Sequence, residues 1–511
     1  MATAEEDNNI EEAPASLPEA EKPKDAHLEQ DTELAPITPG IDPVIEKRVL
    51  RKLDRRLPVI TGFMFLLSYL DRSNIGMERL IENIERNAAI AGMRTDLGLD
   101  SGKYAWLLTI FYISYTLFEF QALMWKVLKP HRWAAFVMFA WGVIATCQAA
   151  ARSWSGMMAL RFLLGAAEAG FGPGVPYLLS FFYSRRELGL RCGIFLSSAP
   201  LAATFAGALA YGITSGHPHI ENWRLLFLVE GLPSLAFVPF AYFLLPDSPG
   251  EAKFLTEEEK EVAKARSLRR SGEEIASHKI DLKDIVQTLL DPKPWFTAFM
   301  YFSCNVSYSS LPVFLPTILE DMGFTAVNAQ GLEAPPFFLS FLVTIFSTWV
   351  ADKLEQRGLV IAILSTIGAV GYVIIAAAET VGVRYFGVFL AASGVFPAIG
   401  NILSWVLNNQ GSDTRRGMAI VMLNLIGQCG PFLGTNSFPS SDSPRYARGL
   451  WICAAFMFFN LFLCLGLRTL LVWENKKLDR MYGTKKERQA RQKSGFVTAE
   501  ENYGEDFRYM L

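Results

Sequence analysis

Long apolar runs without a charged side chain are the feature that most limits how this chain can fold. The run WAAFVMFAWGVIATCQAAA is one, and six others follow, so that the set covers Trp133–Ala151, Trp295–Leu319, Ala334–Val350, Leu359–Ala378, Tyr385–Gln410, Gly417–Ser441 and Gly449–Leu467. A helix of about 20 apolar residues crosses the hydrocarbon core of a bilayer. Closed barrels could also satisfy their backbone there, but these runs are too continuous for alternating strands. The sequence therefore predicts an all-α membrane protein.

Twelve transmembrane helices are predicted, as two six-helix bundles at residues 57–245 and 295–472. The predicted spans are 57–76, 104–125, 133–151, 155–180, 193–214, 224–245, 295–316, 334–351, 359–379, 385–407, 417–437 and 449–472. The segment SRRELGLRCGIFL before span five resembles DTRRGMAIVML before span eleven. Such duplication is typical of transporters that bind their solute between two halves.

Three polar segments complete the predicted organisation. Residues 1–56 are acidic and contain proline, which indicates a disordered tail, residues 246–294 form a linker, and residues 473–511 form a second tail. Thr256 and Glu259 in the linker have capping-box spacing, which predicts a short helix. Lys and Arg concentrate in the loops after spans two, four, eight and ten, so both termini and the linker are predicted to be cytoplasmic.

Charged residues inside the predicted spans are the candidates for function. Span one ends with SYLDRSNIG, which places Asp71 beside Arg72, and a charge at mid-bilayer costs about 2.5–3.5 kcal/mol on insertion scales. In span four, Arg161 and Glu168 are seven residues apart, so they share a helix face but lie about 10 Å apart along the axis. Each is therefore expected to meet a group on another helix or to lie in a water-filled cavity. Two interpretations stay open: structural ion pairs that hold helices together, or a proton relay with a substrate-binding cation. Glu119 and Glu230 are further lone acids, for which the structural interpretation is favoured.

Uncharged polar residues in spans seven, ten and eleven are candidates for substrate binding. Amides and aromatic rings could orient a small ring-bearing solute, although such groups also form ordinary interhelical hydrogen bonds. The candidates are Asn305, Tyr308, Asn401, Trp405 and Asn424.

No cofactor is predicted. GLDSGKY at Gly98–Tyr104 lacks the spacing of a phosphate-binding loop, HPH at His217–His219 is interpreted as a solvated turn, and the six cysteines include no CxxC pair. Neither a nucleophile motif nor a His/Asp cluster suggests an enzyme. An ion gradient is the remaining energy source. The expected partners are therefore protons, a small organic anion and the lipid bilayer, and no nucleic acid is expected. The chain is expected to act as a monomer. An exporter and a non-transporting nutrient sensor are the alternatives.

Five segments together resemble the anion:cation symporter family of the major facilitator superfamily. They are YLDRSNIG, RFLLGAAEAGFGPG, WRLLFLVEGLPS, LLPDSPGEAKFLTEEEK and WVLNNQGSDTRRG. The similarity spans residues 45–483 and is strongest to the fungal branch of allantoate, nicotinate and pantothenate permeases. It implies the major facilitator fold, alternating access, import of a small organic anion, with a nicotinate-like one favoured, and a plasma-membrane location.

The resemblance also implies roles for individual residues. Asp71 and Glu168 would carry protons, Arg161 would tune the span-four acid, and Arg72 would bind the substrate carboxylate. The sequence departs from the family at Met77–Arg86, where MERLIENIER separates DRSNIG from NAAIAGM. A chain without these ten residues is expected to be at least as active.

Overall fold

The computed structural model describes most of the chain outside the N-terminal tail. The described residues are 42–82, 92–214, 220–271, 281–323, 326–438 and 445–484, with residues 442, 487, 503, 505 and 507–511. They contain helices and no β-strand. The α-helices are α1 Pro43–Asp54, α2 Leu57–Glu82, α3 Gly92–Leu97, α4 Ser101–Leu117, α5 Met124–Val127, α6 Pro130–Gln148, α7 Trp154–Glu168, α8 Gly174–Phe182, α9 Leu188–Thr214, α10 Asn222–Leu244, α11 Glu257–Ser271, α12 Leu282–Leu290, α13 Pro292–Asp321, α14 Ala326–Leu354, α15 Arg357–Ala377, α16 Val381–Asn408, α17 Asp413–Gly427, α18 Gly430–Asn436 and α19 Ala447–Tyr482.

All twelve predicted spans coincide with a helix or with a broken set of helices. Among the described residues, seven helices are long and apolar enough to cross a membrane, and eight are if one bent pair counts as a single span. The other four spans, on α2, α6, α7 with α8, and α13, contain charged or polar side chains or are interrupted, which lowers their apolar length. The described residues thus form an all-helical fold in which each of these four spans also coincides with helix.

Three spans that the sequence analysis treats as continuous are broken in the middle. Span two changes at Phe118 into the 3₁₀ segment Glu119–Leu123, with a 45° bend between its two parts. Spans four and eleven are interrupted between α7 and α8 and between α17 and α18. The sequence of the span-four break, AGFGP, explains the interruption, because glycine and proline both disfavour a continuous helix. Discontinuous membrane helices are typical of transporter binding sites.

The prediction of a disordered tail up to residue 56 is wrong for residues 43–54, which form α1. Asp42 caps this helix by accepting a hydrogen bond from Val44 N at 2.8 Å, and proline occupies its first turn. Lys52 binds Glu259 of the linker helix α11 at 2.6 Å. The helix therefore forms because its cap and its docking partner are both present. Residues 1–41 lie outside the described residues.

The linker helix begins where the capping box predicts. Thr256 N donates to Glu259 Oε2 at 2.9 Å, and Glu259 N donates to Thr256 Oγ1 at 3.4 Å. We use the name linker face for the helices α1, α11 and α12 with the helix ends that they contact: Lys52 of α1 contacts Glu259 of α11, and Asp284 of α12 contacts Arg415 of α17. At the outer end of span one, α2 continues to Glu82, while residues 83–86 of the unusual segment lie outside the described residues. The deletion expectation for that segment stays a prediction.

The two halves contact each other at the linker face. Tyr177 Oη on α8 donates to the carbonyl of Asp413 at 2.9 Å, and Lys126 Nζ donates to Thr414 Oγ1 at 3.0 Å. Asp352, at the end of α14, accepts from Leu190 N in the first turn of α9 at 2.6 Å. An acid at a helix N-terminus is stabilised by the helix dipole. This face is therefore closed in the structure.

Close helix packing at Gly165 gives a stability prediction. A Cβ atom at Gly165 would overlap Ser114 Oγ and the carbonyl oxygen of Phe111 on α4. We expect Gly165→Ala to lower the melting temperature of the purified protein, since overpacking a core costs about 1–3 kcal/mol. Gly331→Ala is the matched control, because nothing lies within 4 Å of that position and alanine favours the helix. Equal melting temperatures for the two variants in a thermal unfolding assay would contradict the close approach of α4 and α7.

Candidate substrate and proton site

Asp71 and Arg72 are adjacent on α2 but face different helices. Successive residues of an α-helix are turned by about 100°. Ser234 Oγ on α10 donates to Asp71 Oδ2 at 2.9 Å, whereas Arg72 Nη2 donates to Glu168 Oε2 on α7 at 3.2 Å. The two charges that make span one unusual are thus each bound to a different neighbouring helix.

Glu168 is the centre of the contacts between α2 and α7. Its side chain is 1% exposed and accepts hydrogen bonds from Ser68 Oγ and Arg72 Nη2, both at 3.2 Å. Ser68 and Arg72 are four residues apart, so they lie on one face of α2. Glu168 is also the last residue of α7, so these two hydrogen bonds tie the end of α7 to α2.

Arg161 lies on the same face of α7 and is buried. Its guanidinium carbon is 5.8 Å from the ring centroid of Phe227 on α10. It interacts electrostatically with both Asp71 and Glu168. The expectation that the ion-pair partner of Glu168 lies on another helix is met by Arg72 rather than Arg161.

The guanidinium of Arg72 lies against an aromatic wall that the sequence analysis missed. Its central carbon is 4.7 Å from the ring centroid of Tyr115 and 5.2 Å from that of Phe111, both on α4. Arginine over an aromatic face gains about 0.5–2 kcal/mol. The signal was the four-residue spacing of these two rings in span two, which places them on one face. The side chain of Arg72 is still 18% exposed, so it is accessible to a solute.

The second half contributes Tyr308 and Asn305 from α13. The ring centroid of Tyr308 lies 6.3 Å from that of Tyr69 on α2 and 4.8 Å from that of Phe396 on α16. Tyr308 also interacts electrostatically with Arg72. Asn305, one turn earlier, donates to the carbonyl of Gly427 at 3.1 Å, beside the break in span eleven. Tyr308 therefore lies at the boundary between the halves, whereas the hydrogen bond of Asn305 stays within the second half.

The other three substrate candidates are not brought to Arg72 by any contact in the described part of the chain. Asn401 Nδ2 donates to Ser347 Oγ at 3.2 Å and to a carbonyl of its own helix. Trp405 Nε1 donates to the carbonyl of Met510 at 2.7 Å, on the linker face. Asn424 Nδ2 donates to a carbonyl of its own helix. Their hydrogen bonds are of the structural kind that the sequence could not distinguish from substrate binding.

The helical architecture and a buried ion pair near the junction of two halves define a membrane transporter. Residues 61–435 match the Major Facilitator Superfamily, and the chain belongs to this family. The comparisons also agree that the chain is not an enzyme.

Named relatives extend over most of the chain. It is 35% identical over 448 residues to the MFS transporter prlL of Fungal sp. (strain NRRL 50135), covering 86% of this chain and 89% of that protein. It is 30% identical over 470 residues to the high-affinity nicotinic acid transporter of Saccharomyces cerevisiae, covering 91% and 86% of the two chains. A crystal structure of the proton:xylose symporter XylE shares the fold, with a TM-score of 0.59 and 14% identity over 81% of this chain and 96% of that chain.

Proposed function

We propose that this protein is a proton-coupled importer of a small organic anion, with a nicotinate-like carboxylate as the favoured substrate, within the anion:cation symporter family. The observation that carries the proposal is the hydrogen bond between Arg72 and the buried Glu168, in which the side chain of Arg72 keeps 18% of its surface exposed. The resemblance in sequence motifs and the similarity to a yeast nicotinic acid transporter support the substrate class.

The contacts of Arg72 suggest how a proton and an anion bind together. When Glu168 takes up a proton, its attraction for Arg72 falls, and the guanidinium becomes available to the substrate carboxylate. Tyr308 and Asn305 of α13 would then hold the rest of the solute from the opposite half. One proton and one carboxylate thus replace one internal ion pair.

Asp71 is the second proton-binding group in this proposal. Its carboxylate repels that of Glu168 and is held by Ser234, while Arg161 compensates part of the negative charge. A second proton on Asp71 would make transport of a monovalent anion electrically positive inward. Each such charge gains about 2.3 kcal/mol per 100 mV of membrane potential. The proposed location is the plasma membrane with both termini cytoplasmic, which would put the linker face inside the cell.

Uptake by yeast cells tests the proposal directly. A Saccharomyces strain without its own nicotinate and allantoate permeases would express the chain and receive labelled nicotinate, pantothenate, biotin, allantoate or a sugar acid. We expect accumulation of nicotinate that is larger at about pH 5 than at about pH 7 and is abolished by a protonophore. Cells with an empty vector correct for diffusion of the neutral acid. Uptake that is unchanged by the protonophore would refute proton coupling. Efflux of the labelled solute without any uptake would refute the proposal that the protein is an importer.

A further inference from the structure

Glu119 is a buried acid that the proposed mechanism does not use. It begins the 3₁₀ segment in the middle of span two and its side chain is 0% exposed. Neither of its carboxyl oxygens has a hydrogen-bond partner among the described residues. An ionised carboxylate without a partner is strongly disfavoured in such surroundings, so the group is expected to carry a proton. A broken membrane helix with a buried acid at the break is typical of a functional site rather than of packing alone.

Arg72 lies within electrostatic range of Glu119, as it does of Glu168. Tyr115 of α4 and Tyr301 of α13 are the other titratable groups that interact with Glu119. Titratable groups on the remaining helices packed against this segment are engaged at the linker face: Lys126 on α5, Tyr177 on α8, and Asp413, Arg415 and Arg416 on α17.

The balance of charges in this cluster indicates that one of its carboxyl groups carries a proton. Two guanidinium groups, Arg72 and Arg161, interact with three carboxyl groups, Asp71, Glu168 and Glu119. The cluster is neutral only if one carboxyl group is protonated. Glu119 is the member without hydrogen bonds, whereas Asp71 and Glu168 each accept at least one.

We propose that Glu119 is a third proton-carrying residue of the transport site, which pairs with Arg72 when Glu168 is neutral and the substrate is not yet bound. In that step Glu168 gains one proton, Glu119 releases one to water, and Arg72 keeps an ionised partner. The substrate carboxylate then replaces Glu119 on Arg72 and Glu119 takes a proton back from water, so that one proton and one carboxylate are loaded in total. This inference rests on the proposed function, because it assigns Glu119 a step in the proton-coupled cycle.

Infrared spectroscopy of the purified full-length protein tests the proton without any substrate. The carbonyl stretch of a protonated carboxyl group near pH 7 should be present in the wild type and missing in Glu119→Gln. The band should also shift in Arg72→Lys, which a purely structural carboxyl group away from Arg72 would not show. A difference spectrum between the wild type and Glu119→Gln without such a band would overturn the proposal.

Transport separates this inference from the function on which it rests. For a probe that the wild type accumulates, Glu119→Gln should lower proton-driven accumulation by about tenfold, within the usual range for a coupled site. Glu230→Gln, which removes a buried acid of α10, is the matched control and should stay near the wild type. Failure of the wild type to accumulate any probe would refute the proposed importer, whereas normal accumulation by Glu119→Gln would refute the role of Glu119 alone.

Residues 507–511 bind the linker face through their backbone. Asn409 Oδ1 accepts from Met510 N at 2.8 Å, while Asn409 and Trp405 donate to the carbonyl of Met510 at 3.1 and 2.7 Å. Asn475 makes the same pair of bonds to the N–H and carbonyl of Tyr509, both at 2.8 Å. Two asparagines that each bind both polar groups of one residue form a specific peptide-binding groove.

Side chains of this C-terminal part make further contacts, one of which reaches the other half. Arg508 donates to Asp479 at 2.7 Å, and the ring centroid of Tyr503 lies 4.9 Å from the guanidinium of Arg415, both within the second half. Phe507 is 2% exposed, and the guanidinium of Arg185 lies 4.6 Å from its ring centroid. Arg185 follows α8 and belongs to the first half, whereas the asparagines of the groove belong to the second.

From these contacts we infer that Tyr503 and residues 507–511 form a latch that holds the linker face closed. Opening this face moves Arg185 away from the groove, so Phe507 must leave one of its two partners. Release of the latch would therefore accompany each opening, and any change that weakens it should favour the open face.

Cys192 is a natural reporter of opening. It is 0% exposed on α9, which packs against α14 and α16 of the second half, so separation of the halves should expose it. Cys453 and Cys464 are buried within the second half and serve as internal controls. Alkylation of each cysteine in the purified protein can be followed by mass spectrometry of its peptide.

Truncation after residue 502 removes both the cation–π contact of Phe507 and the hydrogen bonds to the groove, and it should raise the alkylation rate of Cys192 by about tenfold. Phe507→Ala removes only the cation–π contact, so it should give a smaller increase. The rates of Cys453 and Cys464 should not change. A synthetic peptide of residues 503–511 should slow the reaction of the truncated protein again, and a scrambled peptide should not. An unchanged rate at Cys192 after truncation would overturn the latch, and equal acceleration at all three cysteines would show unfolding instead.

Discussion

Replacement of Arg72 by lysine is expected to lower proton-driven uptake of labelled nicotinate by about 100-fold. Lysine keeps the charge, but it cannot reproduce the planar fork that binds Glu168 or the stacking against Tyr115. A hydrogen bond to a charged group is worth about 1.5–3 kcal/mol and a cation–π contact about 1 kcal/mol. Together they amount to about 3 kcal/mol, which corresponds to about 100-fold at 1.4 kcal/mol per tenfold change.

Uptake rates at equal surface expression measure this effect. Arg132→Lys is the matched control, because Arg132 is exposed near the start of α6, and it should leave uptake unchanged. If Arg72→Lys retained uptake within about threefold of the wild type, the guanidinium would not be the group that receives the substrate carboxylate.

Replacement of Glu168 by glutamine is expected to remove most of the pH dependence of accumulation and to leave only the part that the second proton on Asp71 contributes. Glutamine has the shape of the protonated acid, so it should leave Arg72 available to the substrate at every pH. The variant should still exchange labelled for unlabelled substrate across the membrane, since exchange needs no net proton movement. Net accumulation should fall by at least about tenfold, because one of the two proton-coupled steps is lost.

Two measurements distinguish this result from simple loss of folding. Counterflow in membrane vesicles reports exchange, and uptake at about pH 5 and about pH 7 reports coupling. Glu168→Asp restores a titratable group and should recover part of the pH dependence. Accumulation by Glu168→Gln that responds to pH and to a protonophore as strongly as that of the wild type would rule out Glu168 as a required proton carrier.

The helices were predictable because each has a strong local cause. A run of about 20 apolar residues can cross a bilayer only as a helix, because its backbone groups must form hydrogen bonds within the segment. Every predicted span accordingly lies on a helix or on a broken set of helices. The linker helix also follows from a local cause, the pair Thr256 and Glu259. The helix α1 was missed although Asp42 and Pro43 give the usual signal for a helix start, because composition was weighed over the whole tail.

The break in span four had a local signal, AGFGP, whereas the break in span two had none. The latter segment contains neither glycine nor proline, and its side chains are anchored to the neighbouring helix instead. Gln121 Nε2 donates to the carbonyl of Ala166 at 3.1 Å, and Trp125 Nε1 donates to that of Gly170 at 2.8 Å. A break that depends on partners 45 residues away cannot be found from local sequence.

Trp405 and Asn401 show the same limit for function. Both residues lie on α16, where 83% of the most apolar 18-residue stretch is buried inside the protein. The sequence of this helix therefore has no polar face to indicate which side meets the solute. Only the packing shows that Trp405 contacts Met510 and that Asn401 contacts Ser347.

The sequence alone determined that this protein crosses the membrane as two sets of six helices and that its few intramembrane charges are candidates for function, because burying charge in lipid is costly wherever it occurs. Only the tertiary structure decided which charges meet. Arg72 and Glu168 are 96 residues apart, and an ion pair depends on distance and burial, which are properties of the packed helices and not of either segment.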